Sequence, residues 1–169
     1  MLQIGLTGTR SLKLPDHEKQ LAATVGLIYG LTTDDYNPVR ICQGCCRGFD
    51  TEVTLRLVAE RPGKFFICGH PPTKTDFVDK RVLPVCNRLM RPKEYLRRDR
   101  DIVEHGGDYT IMGPKEYQEI FRGSDSWYTC RQALAANRPT YIVFRQGEVA
   151  KAYRSGGNIA WRFLTSEPS

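Results

Sequence analysis

The sequence lacks any apolar run long enough to span a membrane, and no basic segment precedes an apolar one at its start. Met1-Leu2-Gln3-Ile4 leads directly into a predicted strand, which does not resemble a signal peptide. The chain also has no internal repeat and no low-complexity linker. We therefore expect a cytoplasmic protein with no membrane partner.

Cysteine is present, but without the pattern of a disulfide framework. Several of the cysteines lie in apolar segments that predict strands or helices, so buried thiols in a reducing compartment fit better than disulfides. The six are Cys42, Cys45, Cys46, Cys68, Cys86 and Cys130.

The chain has 169 residues, a net charge of +6 and a pI near 9.1. This length predicts one domain with a single core. The positive charge favours anionic ligands, including nucleotides and nucleic acid, although a solvated basic surface is the alternative.

Strand and helix patterns alternate along the sequence. The predicted strands are Ile4–Thr7, Val39–Ile41, Lys64–Cys68, Tyr109–Met112 and Thr140–Phe144. Apolar residues at helical spacing predict helix faces at Leu21, Val25 and Ile28, at Phe49, Val53 and Leu57, and at Trp127, Cys130 and Leu134. Pro92 is predicted to open a further helix, and residues 73–91 are predicted to be irregular.

This alternation predicts an α/β fold with a doubly wound, mostly parallel five-stranded sheet. Val149–Phe163, around Ser155-Gly156-Gly157-Asn158, predicts a C-terminal β-hairpin extension. In such a sheet, ligands bind beyond the carboxyl ends of the strands, where the strand order reverses.

Two turns that follow predicted strands suggest a phosphate site. The first contains Thr7, Gly8, Thr9 and Arg10, which offer hydroxyls and a guanidinium. The second contains Gly44, Cys45, Cys46, Arg47 and Gly48 and leads into a helix that carries Asp50. Glycines permit close approach of a ligand, and helix N-terminal N–H groups favour anions.

Further candidates come from four other positions. Arg98 either grips a phosphate or belongs to a charged solvated face. Ser124-Asp125-Ser126 predicts a helix N-cap that also exposes N–H groups to an anion. Trp127 stacks on a base or, more commonly, lies in the core. His70 follows the third strand and lies at the same predicted edge.

Metal binding and catalysis by a nucleophile or a carboxylate are the alternatives to ligand binding. Cys42, Cys45, Cys68 and His70 offer four zinc-type ligands, but no second Cys-x-x-Cys motif exists, so we expect no metal and no cofactor. A Cys46–His70 dyad has no recognisable local signature. Among the carboxylates, Asp50, Asp99 and Asp125 are candidates, and capping or pairing with arginine is the alternative for each.

Several motifs together resemble the SLOG superfamily, which includes the Lonely Guy-type phosphoribohydrolases and the Rossmann domain of DNA-processing protein A. The resemblance covers residues 3–145. It rests on Gly5-Leu6-Thr7-Gly8-Thr9-Arg10, Gln43–Asp50, His70-Pro71-Pro72-Thr73, Pro92–Val103, Ser124-Asp125-Ser126-Trp127 and Arg138–Val143. It implies a Rossmann-like nucleotide-binding domain over residues 1–146, often dimeric, with residues 147–169 as a hairpin and tail of the same domain.

The resemblance departs from the Lonely Guy enzymes at the catalytic position. Their motif has a glutamate where this chain has Thr129, and Asp125 replaces an expected glycine. An oxocarbenium-like transition state needs a nearby carboxylate, which Asp125 or Asp50 could supply here.

Three functions follow as hypotheses. The first is binding of a nucleotide or nucleotide-derived phosphorylated ligand, as a sensor or sequestering protein. The second is an N-glycosidase of nucleoside 5′-monophosphates with Asp125 or Asp50 as the catalytic carboxylate. The third, less favoured, is binding of single-stranded nucleic acid through the basic run Arg88, Arg91, Lys93, Arg97, Arg98 and Arg100.

Overall fold

The computed structural model describes residues 1–13, 15–32 and 38–164. The predicted loop between Gly30 and Pro38 lies largely outside these residues, as does the end of the segment 147–169. The elements, in chain order, are β1 (Gln3–Gly8), α1 (Glu18–Leu31), β2 (Val39–Gln43), α2 (Phe49–Glu60), β3 (Phe65–Gly69), a 3₁₀-helix (Leu83–Val85), β4 (Arg88–Leu89), α3 (Tyr95–His105), β5 (Tyr109–Gly113), α4 (Asp125–Ala135), β6 (Thr140–Val143), β7 (Val149–Ser155) and β8 (Asn158–Phe163).

In the described part of the chain these strands form one sheet in the order β4-β3-β2-β1-β5-β6-β7-β8. Strands β1 to β6 are parallel, and β7 and β8 are antiparallel to their neighbours. The predicted α/β class, mostly parallel sheet and C-terminal hairpin are confirmed. The predicted number of five strands is wrong, because the sheet has eight.

The extra strands have two origins. The hairpin continues the sheet, since β7 pairs with β6 from Tyr141↔Lys151 to Val143↔Val149. Strand β4 lies within residues 73–91, which were predicted to be irregular. Its two residues are exposed and show no apolar alternation, so the sequence carries no strand signal there.

Helices cover both faces of the sheet. On one face, Leu21 and Val25 of α1 and Val53 of α2 form a core cluster with Ile4 and Ile41. On the other face, α4 packs on Met112 and Ile142, and Ile102 of α3 packs on Cys42 and Cys68. The predicted inward positions of α1, α2 and α4 are all buried and are confirmed.

The helix predicted to open at Pro92 begins three residues later, at Tyr95. Residues before it are held in extended backbone, since Lys93 forms a parallel bridge with Pro72 and its N–H donates to the Pro71 carbonyl at 3.2 Å. None of the described helices combines the length and the apolar composition needed to cross a bilayer.

Strand order reverses between β1 and β5, whose ends align at Gly8↔Gly113. The Phe49 ring of α2 lies against both glycines, and a Cβ at either position would overlap that ring. This close packing places the N-terminus of α2 beneath the point where the order reverses.

Candidate functional site

A cleft of about 360 Å³ opens at the carboxyl ends of β1 and β5, where the strand order reverses. Its walls come from the turn after β1, from the segment between β5 and α4, and from one residue of the loop before β4. The lining residues are Gly8, Thr9, Arg10, Ser11, Phe77, Lys115, Glu116, Ile120, Gly123, Ser124, Asp125 and Ser126. The position is the one expected for a ligand in an open parallel sheet.

Arg10 is the cation that the surrounding residues hold most firmly in this cleft. Its guanidinium carbon lies 4.5 Å from the ring centre of Phe77 and 4.7 Å from that of Tyr95. The same guanidinium forms an ion pair with Asp125. Both side chains of the pair are about 30% exposed, so a ligand can reach them.

The N-terminus of α4 forms one wall of the cleft. Ser124 caps the helix, and its Oγ accepts from the Trp127 N–H at 3.3 Å, as predicted for this cluster. Within the described residues, the N–H groups of Asp125 and Ser126 have no protein acceptor. Free first-turn N–H groups together with the helix dipole favour an anion at this wall.

The glycine turn between β2 and α2 lies beside the cleft but does not line it. Three of its N–H groups, and the first N–H group of α2, already donate within the protein. The bonds are Gly44 to Asp50 Oδ2 (3.1 Å), Cys45 to Gln43 Oε1 (2.7 Å), Arg47 to the Phe77 carbonyl (2.7 Å) and Phe49 to the Thr9 carbonyl (2.9 Å). Gly44 and Gly48 serve close packing here, since a Cβ at Gly48 would overlap the Thr9 carbonyl oxygen.

Arg98 fills the space above this glycine turn instead of facing the cleft. It is 5% exposed, and its guanidinium donates to the Gly44 carbonyl at 2.8 Å and to Cys46 Sγ at 3.3 Å. It also forms a buried ion pair with Asp99 at 3.0 Å. Neither the predicted phosphate grip nor the alternative of a solvated face describes this arginine, because its partners are all inside the protein.

Two carboxylates share the interior with Arg98. Burial raises the pKa of Asp50 to about 6 and that of Asp99 to about 7, although the positive charge of Arg98 opposes both shifts. One oxygen of each, Asp50 Oδ1 and Asp99 Oδ2, is buried without a hydrogen-bond partner among the described residues. Asp50, predicted as a catalytic candidate, therefore lies behind the cleft and not in it.

Because their folded pKa values lie above the ordinary carboxyl value, Asp50 and Asp99 bind protons more tightly in the folded state. The stability they contribute is therefore greatest near pH 4 and falls as the pH rises to about 7. Replacing Asp99 by asparagine removes one such group. We expect the free energy of unfolding of Asp99→Asn, relative to wild type, to increase by roughly 1.4 kcal/mol per pH unit within that window.

Urea denaturation at several pH values between 4 and 8 measures this difference. Asp76→Asn, at an exposed carboxylate, is the matched control for the loss of one surface charge. A difference between Asp99→Asn and wild type that stays constant with pH would contradict the assignment.

The remaining predicted residues divide into two groups. Gly8, Thr9, Arg10, Ser124, Asp125 and Ser126 come together in the cleft. Thr7, His70 and Trp127 are buried. Trp127 has no free face for a base, because it is fully buried, its indole N–H donates to Glu116 at 3.1 Å, and its ring contacts Trp161.

Phe77, Lys115 and Glu116 line the cleft but were missed in the sequence. Phe77 lies in the range predicted to be irregular, and its carbonyl is held by the Arg47 N–H. The only feature of the sequence that could have indicated this position was an aromatic residue in a polar loop. Lys115 and Glu116 follow the Gly113-Pro114 strand end and could have been inferred from that position.

Four of the six thiols lie in two pairs. Cys42 is close to Cys68, whose Sγ lies 3.6 Å from His70 Nε2, whereas Cys45 is close to Cys86 and Gln43. All six cysteines are free, as predicted. Of the four zinc-type ligands considered in the sequence, the structure brings Cys42, Cys68 and His70 within 4.8 Å of one another and places Cys45 elsewhere.

Comparison of the chain with protein-family models, with curated proteins and with solved structures gives no match. The class that the structure defines is an α/β protein with a mostly parallel sheet and a polar cleft where the strand order reverses.

Proposed function

We propose that this chain is a Rossmann-like protein that binds a nucleotide or a nucleotide-derived phosphorylated ligand in the cleft between β1 and β5. The observation that carries the proposal is the pairing, in one cleft, of Arg10 with the free N–H groups of Asp125 and Ser126. A phosphate between them would gain a charge-assisted bond from the guanidinium and main-chain bonds from the helix N-terminus.

The other cleft residues suit the rest of a nucleotide. Phe77 is 40% exposed and offers an aromatic face for a base once Arg10 turns toward a phosphate. Asp125, released from Arg10 by that movement, can accept hydrogen bonds from ribose hydroxyls. Lys115 adds a second cation at the cleft.

Cleavage of the base–ribose bond is the second candidate, and Asp125 is the observation that favours it. This carboxylate lines the cleft and is partly exposed, so it can stand beside a developing oxocarbenium ion. Asp50 is a weaker candidate for that role because it is buried behind the glycine turn.

Binding of single-stranded nucleic acid has less support. In the basic run, Arg98 is buried with internal partners and Lys93 forms an ion pair with Asp101. Two of the six cations are thus already neutralised, which reduces the expected attraction for a phosphate backbone.

A panel of nucleoside mono-, di- and triphosphates tests the first two functions, with thermal shift and chromatography of the products in the same samples. A ligand at 100 times its Kd stabilises the folded state by about 2.7 kcal/mol. Arg10→Ala removes a charge-assisted bond of about 1.5–3 kcal/mol, so we expect Kd to rise roughly ten- to hundredfold.

Arg154→Ala, which removes an exposed arginine from β7, is the charge-matched control and should bind normally. The unliganded Arg10→Ala protein should lose no more than about 1–3 kcal/mol of stability, because the part-exposed ion pair and the two cation–π contacts each contribute at most about 1 kcal/mol. Free base in the chromatogram, lost in Asp125→Asn, would make the chain an N-glycosidase. If Arg10→Ala and Arg154→Ala lost the ligand-induced thermal shift equally, binding in the cleft would be contradicted.

A further inference from the structure

Beneath α3 and outside the cleft, Cys42, Cys68 and His70 bring together two sulfur atoms and an imidazole. We propose that these three residues bind a thiophilic metal ion of the Zn²⁺ class and that His105 supplies the fourth ligand. The inference is independent of the proposed nucleotide site, because none of the four residues lines the cleft.

Strand register creates this arrangement. Cys42 of β2 and Cys68 of β3 are direct partners in the parallel ladder, so their side chains leave the sheet on the same face. His70 follows Cys68 by two residues, which returns its side chain to that face. The His70 N–H donates to the Gln43 carbonyl at 2.8 Å, which fixes the backbone that carries the imidazole.

The distances match a tetrahedral metal site. With Zn–S near 2.3 Å and Zn–N near 2.0–2.1 Å, the edge that joins a sulfur and a nitrogen ligand in a tetrahedron is about 3.6 Å. Cys68 Sγ and His70 Nε2 lie 3.6 Å apart, and all three ligand atoms lie within 4.8 Å of one another. An ion therefore needs only small side-chain rotations to reach all three.

His105, at the C-terminal end of α3, is placed to complete the set. Its ring centre lies 5.1 Å from that of His70, and the residue is only partly buried, so an inward rotation of its side chain would bring a fourth ligand to the ion. The resulting ligands, two thiolates and two imidazoles, are those of structural zinc sites.

The burial of the site and the types of its ligands determine which metal ion fits. Cys42, Cys68 and His70 are each at most 3% exposed, and Ile102 and Met90 pack against the two cysteines. Such a dry site with sulfur and nitrogen ligands favours Zn²⁺ over the hard cations Mg²⁺ and Ca²⁺, which need oxygen ligands and water. A bound ion would join β2, β3 and α3, and α3 also carries Tyr95 and Arg98.

Co²⁺ titration of the reduced, metal-free full chain tests the proposal. We expect one equivalent to bind with the strong visible absorption of a tetrahedral thiolate site, and Zn²⁺ to displace it. His70→Ala and Cys68→Ser should each weaken binding by about 100-fold or more, since even outer partners of metal ligands are worth 10–100-fold. Cys86→Ser, in the neighbouring thiol pair, is the matched control and should bind as wild type does.

X-ray absorption of the wild-type zinc complex gives a readout that does not depend on the folding of any variant. It should show two sulfur ligands near 2.3 Å and two nitrogen ligands near 2.0 Å. Absence of stoichiometric Co²⁺ binding in the wild type would overturn the proposal. An equal loss of binding in Cys86→Ser and Cys68→Ser, or a zinc shell of oxygen ligands, would overturn it as well.

Discussion

Replacing Arg98 by methionine is expected to lower the free energy of unfolding by about 3–5 kcal/mol at neutral pH. Methionine keeps much of the aliphatic volume but removes the charge that faces Asp99 and Asp50. Both carboxylates are almost fully buried, and each already has an oxygen without a partner in the described structure. Without Arg98 they must remain charged in the interior or take up a proton, and either change costs stability.

Urea denaturation of Arg98→Met at pH 7.5 and pH 4.5 separates loss of charge from loss of packing. The cost should shrink at pH 4.5, because the carboxyl groups are then protonated and no longer need the guanidinium. Arg97→Met, at the exposed neighbouring position, should change stability by about 0.5 kcal/mol or less. If the two substitutions changed stability to a similar extent, Arg98 would not be the buried partner of Asp50 and Asp99.

Gly48→Ala is expected to destabilise the protein by about 3 kcal/mol or more. Gly48 has a φ of 103° and a ψ of −138°, a conformation almost restricted to glycine, which costs other residues about 1–3 kcal/mol. In addition, the new Cβ would overlap the Thr9 carbonyl oxygen and approach the Arg10 backbone. Overpacking of this kind adds about 1–3 kcal/mol.

Gly63→Ala is a control matched in backbone conformation. Gly63 also has a positive φ, of 81°, but a Cβ there would meet no atom within 4 Å. We expect it to cost about 1–2 kcal/mol, which measures the backbone strain alone. Denaturation curves measure the loss of stability in both variants. If Gly48→Ala lost no more stability than Gly63→Ala, the close approach of the glycine turn to the turn after β1 would be contradicted.

Much of the fold could be predicted because local patterns and tertiary packing agree. Leu21, Val25 and Ile28 recur at helical spacing and all lie in the core, and the turn signal at Gly156-Gly157 lies between β7 and β8. Strand β4 could not be predicted, since its two residues gain their strand conformation only from pairing with Cys68 and Gly69.

The sequence predicted those parts of the candidate site that are formed by local backbone features. It did not predict the parts that depend on contacts between residues distant in the chain. The turn after β1 and the cap of α4 are local features, and both line the cleft. Burial of Arg98 was not predictable, because the arginine belongs to a charged helix turn and its partners, Gly44 and Cys46, lie more than fifty residues earlier. Phe77 reaches the cleft only through pairing of its loop with the glycine turn.

The most direct test of the proposed cleft is an NMR titration of ¹⁵N-labelled protein with the nucleotide that gives the largest thermal shift in the panel. Binding as proposed predicts that the amide signals of Asp125 and Ser126 move most, because their N–H groups meet the phosphate, while those of Gly156 and Gly157 in the hairpin stay in place. Saturable shifts elsewhere with unchanged Asp125 and Ser126 signals would contradict the assignment of the cleft as the ligand site.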